Sequence, residues 1–165
     1  MGATAPGSAL AVSPGARVIA SDSEAITAAT EYAAAIGPGA VERDRDRRMP
    51  YAELRELADT GLLGMRIPAS YGGAGVSSRT VAEVFRIISA ADPAIGQIPQ
   101  NHIQFVDTFI RFGTDEQRSL FLPQVMRGAR FGNALSERGG RTARDWTTRL
   151  VRQPDAPPSP SFLAA

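Results

Sequence analysis

The feature that most restricts this chain is a regular alternation of helix-starting signals, helix-period apolar spacing and helix-stopping residues. "SDSE" (Ser21 to Glu24) is a capping-box pattern, a serine that can accept from a backbone amide with a glutamate placed to reach back. Behind it Ile26, Ala29, Ala33 and Ile36 recur at helical spacing, which predicts a first helix over residues 22–36. "GPG" (Gly37 to Gly39) should break or kink it, because proline removes a donor and crowds the preceding turn. Pro50 suits a first helical position and Gly61 a C-terminal cap, with Leu54, Leu57 and Ala58 on one face between them. Val81, Val84, Phe85 and Ile88 set a third helix, which ends near "ADPAIG" because Asp92 precedes a proline. A fourth covers His102 to Phe112. Gly113 closes it, and Thr114 with Gln117 forms a second capping box for a fifth helix, which Pro123 should end or bend. Strand character is confined to "ARFGNALSE" (Ala129 to Glu137).

Composition narrows the chemistry. A chain of 165 residues, 43% hydrophobic and 21% charged, supports one globular domain with a real core. A formal net charge of +1 gives no nucleic-acid footprint. There is no cysteine, which excludes disulfides, thiolate catalysis and Cys-zinc sites, and the single histidine, His102, excludes a multi-histidine metal site. No apolar run reaches the length of a membrane span. The first residues lack the positive start and apolar core of a signal peptide, so residues 1–20 are expected to be a flexible leader of a cytoplasmic protein. "VERDRDRR" (Val41 to Arg48) alternates in sign, with Asp44 within reach of Arg47 and Arg48; it is read as a solvated helix face or a docking patch.

"RIPASYGGAG" (Arg66 to Gly75) raises the question of a nucleotide loop. A phosphate loop needs a lysine to neutralise the distal phosphates, and this chain has none. A dinucleotide fingerprint needs a third glycine where Ser78 stands, and Pro68 interrupts the strand that should lead in. The alternative is a tight turn, in which Gly72, Gly73 and Gly75 supply positive φ angles and close backbone approach.

The order of segments is more specific than any one of them. "GLLGMRIPASYGGAG", "ADPAIGQIPQNH" and "FGTDEQRSLFLPQVMRGARFGNALSERGG" together resemble the acyl-CoA dehydrogenase superfamily, from about Ser21 to Leu150. The "IPQNH" and "GNALSERG" variants are similar to its dibenzothiophene-monooxygenase-like and sulfur-acquisition branch. The resemblance implies an all-α, N-terminal helical domain of about five helices over residues 21–128, then the first strand of a middle β domain over 129–150. It implies a flavin, FMN or FAD, and a small-molecule substrate, an organosulfur compound oxidised with reduced flavin and oxygen, in a homo-oligomer of the tetrameric kind. In this family a Thr-Glu-Pro-x-x-Gly-Ser segment lies along the flavin. Here it reads "SERGGRT", so Ser136 and Thr142 take the two hydroxyl positions, while Arg138 and Arg141 replace the proline and the last glycine. By the same resemblance Asn133 points toward flavin and substrate, and His102 lines the pocket where oxygen reacts and acts as hydrogen-bond donor or general acid.

After Leu150 the resemblance stops. Residues 151–165, "VRQPDAPPSPSFLAA", are proline-rich and expected to be unstructured, and are read as a frameshifted or prematurely ended frame. The isolated chain is therefore expected to bind flavin weakly and to have no turnover. Two other functions stay open: an acyl-CoA dehydrogenase oxidising an acyl-CoA with FAD, and a non-catalytic helical interaction module.

Overall fold

The computed structural model describes residues 16–133, 137, 142–149 and 151. The chain divides after Phe131 into two units. In the first, five longer helices, α1 (Asp22–Ile36), α3 (Tyr51–Asp59), α4 (Ser78–Ala91), α6 (Pro99–Phe112) and α7 (Asp115–Met126), are joined by two short ones, α2 (Ala40–Arg45) and α5 (Pro93–Gln97). Among the described residues there is no strand, and residues 129–133 and 137 carry no regular structure. Residues 134–136 of the expected strand lie outside the described set.

The start signals act as their chemistry dictates. The Ser21 hydroxyl accepts from the Glu24 amide at 3.2 Å, while the Glu24 carboxylate reaches one residue further back than a simple capping box, to the Ala20 amide at 2.9 Å. The Thr114–Gln117 box is fully reciprocal, with bonds of 2.9 and 3.2 Å. Pro38 breaks the first helix as expected, α1 ending at Ile36, whereas Pro123 does not end its own. Pro38 sits in a 3-10 turn, Gly37–Gly39, whose first positions need no amide, so the chain passes into α2 while staying helical. Pro123 lies inside α7, which continues to Met126. The carbonyl it leaves without a donor belongs to Ser119, an exposed residue that water can serve.

The main core forms where α1 lies along α4. Ala25, Ala28 and Ala29, each at most 2% exposed, give α1 a face of small side chains, and Val84 and Ile88 of α4 are buried in the same cluster. Small residues at a helix contact let the two axes approach closely. A smaller cluster gathers Ile67, Val106, Leu122 and Val125 from the 65–76 loop, α6 and α7, with Phe109 and Phe131 half-buried against it.

The "RIPASYGGAG" segment holds one short 3-10 turn, Ala69–Tyr71, and no strand; another, Leu62–Gly64, lies just before it. The chain then doubles back. The amides of Tyr71 and Gly73 both donate to the Pro68 carbonyl, Gly72 to Ala69, Gly75 to Ile67 and Val76 to Met65. Gly72 and Gly75 have positive φ, as expected. Gly73 does not; its reason is space, since a Cβ there would collide with the Ile67 carbonyl. A phosphate cradle needs free amides pointing at the ligand, and these amides are spent inside the turn. Arg66 then staples the loop to α6 through Asp107, at 2.9 Å.

Candidate functional site

His102 enters the interior because of its place on α6. It lies on the face of α6 that buries Ile103 and Val106, and it is itself 0% exposed. Its Nε2 is 3.0 Å from the Leu63 carbonyl, to which it must donate. Its Nδ1 accepts from the Phe131 amide at 3.0 Å. The ring is thereby fixed as the neutral Nε2–H tautomer. Burial, with the nearby Arg130 charge adding to it, pushes the imidazole down to about 4, although the Leu63 carbonyl works the other way. Phe131 stacks on this ring at 5.8 Å between centroids and also meets Phe105, Phe109 and Phe121 at 5.2–6.1 Å. His102 is thus a buried bond-maker in the described structure, with both nitrogens committed to backbone groups.

The other candidates lie in the second unit. Asn133 is exposed. Ser136 lies outside the described residues. Thr142 is exposed and caps a 3-10 turn, Ala143–Asp145. Its hydroxyl accepts from the Arg144 amide at 3.3 Å and donates to Asp145 Oδ2 at 3.3 Å; its own amide donates to the same oxygen at 2.8 Å. In the same unit the Glu137 carboxylate accepts from the Thr147 amide at 2.9 Å and hydroxyl at 3.1 Å, and from the Thr148 amide. These donors, the Thr147 amide foremost, hold the Glu137 carboxyl down to about 2. The fit to a flavin phosphate is therefore poor as the residues stand. Both donors of Thr142 already face a carboxylate, which a phosphate would have to displace.

The feature that sequence reasoning missed lies in "VERDRDRR". Arg43 is 7% exposed, not on a solvated face. Its Nε and Nη2 donate to Asp92 Oδ2 at 3.0 and 2.9 Å, its Nη1 to Glu53 Oε1 at 3.1 Å, and its Nη2 also to the Ile36 carbonyl. Arg48 reaches the same Glu53 oxygen at 2.6 Å, and Glu53 Oε2 is buried without a partner among the described residues. Asp92 meanwhile caps α5 by accepting from the Ile95 amide at 3.0 Å. One guanidinium thus joins the end of α1, the start of α3 and the α4–α5 corner. The available signal was the same "ADP" that stopped the third helix: an aspartate there needs a counter-charge if the corner is buried.

No helix among the described residues is long and apolar enough to cross a membrane, and no group of side chains among them could hold a metal ion. The helical unit, its loop and its caps form a domain built of helices among the described residues. A family model described as "Acyl-CoA dehydrogenase, N-terminal domain" matches residues 22–129, and the chain belongs to this family.

Within the family, the chain is 32% identical over 137 residues to a dibenzothiophene monooxygenase of Rhodococcus erythropolis, covering 82% of this chain and 33% of that protein. It is 29% identical over 123 residues to a 3-sulfinopropanoyl-CoA desulfinase of Paraburkholderia xenovorans, covering 73% and 32%. Among solved structures it matches dibenzothiophene monooxygenase TdsC from Paenibacillus sp. A11-2, with a TM-score of 0.56 and 31% identity over 62% of this chain and 26% of that one. TdsC has also been solved with FMN and indole. The chain spans about a third of the length of the curated relatives it matches.

Proposed function

We propose that the chain is the N-terminal part of a flavin-dependent oxidoreductase, a monooxygenase acting on an organosulfur compound with reduced flavin and oxygen. The similarity to dibenzothiophene monooxygenase over 82% of the chain carries this reading. Bound flavin would supply the oxygen chemistry; Asn133 and Ser136 are the residues of this chain proposed to face it, with Thr142 available once Asp145 is displaced. The helical unit contributes a packed wall. Since the chain spans about a third of its relatives, turnover by the chain alone is not expected.

Titrating the purified chain with FMN and with FAD tests this. The expected result is weak binding with no reduced-flavin-dependent oxidation of dibenzothiophene. Micromolar binding with such oxidation would overturn the inactive part of the reading. The similarity to 3-sulfinopropanoyl-CoA desulfinase favours a second reading, a relative that takes an acyl-CoA. Protection of the chain from limited proteolysis by an acyl-CoA would support it, and no protection would count against it.

A further inference from the structure

His102 joins two segments far apart in sequence. Leu63 lies 39 residues before it and Phe131 lies 29 after it, and each meets the ring through a backbone group. A carbonyl can only accept and an amide can only donate, so the pair demands one donor and one acceptor on the ring. An imidazolium would set an N–H against the Phe131 N–H. Arg130 is the charged group that acts on the ring, and it opposes that second proton. This ring is fully enclosed, and its N–H is held by Leu63.

We propose that His102 is a positioning residue, a neutral two-point tie that fixes where the chain leaves the helical unit at Phe131. Its bearing on chemistry rests on the flavin reading, because Asn133 follows two residues after Phe131. The tie itself belongs to the helical unit alone.

Because the chain has a single histidine, one imidazole signal pair reports the test. In ¹⁵N-labelled chain, one protonated and one unprotonated ring nitrogen are expected, unchanged from about pH 8 to about pH 5, well below the ordinary histidine midpoint of about 6.5. The Phe131 amide should be protected from hydrogen exchange. His102→Gln, whose carboxamide also offers one donor and one acceptor, should keep most of that protection. His102→Leu should lose roughly 10- to 100-fold of it, the cost of stranding the amide. A ring that titrates near 6.5, or a Gln variant no better than Leu, overturns the proposal. If His102→Leu does not fold, the wild-type ring signals and the Gln variant still decide. Failure of the flavin titration would leave these signals unchanged, so the two readings fail separately.

Discussion

Replacing Arg43 with methionine removes the guanidinium that contacts both Asp92 and Glu53, while keeping the length of its stem. The side chains involved are 8% exposed for Arg43, 5% for Asp92 and 10% for Glu53. Removing one partner of a buried ionic cluster costs about 3–5 kcal/mol, because the remaining charge is left in a poor solvent. Two facts place this case at the lower end. Glu53 keeps Arg48, and Asp92 keeps the Ile95 amide. A loss of about 3 kcal/mol is therefore expected at pH 7, or a fall of about 1–3 M in the urea midpoint followed by far-UV circular dichroism. Arg43→Met with Asp92→Asn should recover part of it, since asparagine is neutral and still caps α5. The dependence on pH has a definite sign. The Arg48 hydrogen bond and the charges of Arg48 and Arg43 hold Glu53 below its ordinary value against the effect of burial. Its contribution is present above the unfolded value of about 4.3 and is lost as pH falls through the lower folded value. The variant has less of this contribution to lose, so its deficit should hold from pH 7 to about pH 5 and narrow as pH falls below about 4.3. A deficit below about 1 kcal/mol at pH 7, or one that widens on acidification, would refute the reasoning.

Other perturbations test other parts of the fold. Gly73→Ala forces a methyl against the Ile67 carbonyl and should cost about 1–3 kcal/mol, whereas Gly72→Ala meets open space and pays only for its positive φ; paired urea melts separate the two. Thr114→Ala removes the hydroxyl half of the α7 capping box and should cost about 1 kcal/mol in the same assay. Ile88→Ala, at 2% exposure in the α1–α4 core, should cost about 2–5 kcal/mol, and Phe131→Ala less because that ring is only half-buried; equal losses would argue against the two-cluster description.

The local rules were legible in the order of the residues. The caps at Ser21 and Thr114, the stop at Asp92 and the left-handed cap at Gly61 each depend on neighbours a few positions away, and the structure shows all of them. So did the rejection of a nucleotide loop, since missing lysine and glycine are facts of composition. Pro123 is the proline that does not end its helix. Whether a proline ends a helix depends on whether its orphaned carbonyl can find water, and that is a question of burial.

Tertiary structure decided the charges and the histidine. A string such as "VERDRDRR" presents equivalent arginines, and nothing local says that Arg43 turns inward while Arg45 pairs with exposed Asp46. That choice is made by Asp92, forty-nine residues away in sequence, whose corner is buried and must be neutralised. His102 follows the same logic. Composition shows that the chain has one group titrating near neutrality; only the packing of Leu63 and Phe131 around it turns that group into a neutral tie. Sequence by itself fixed which backbone conformations were allowed, because those are local sterics and capping. Protonation and pairing were settled by distance in space, because burial and opposite charge act between segments the chain brings together only when it folds.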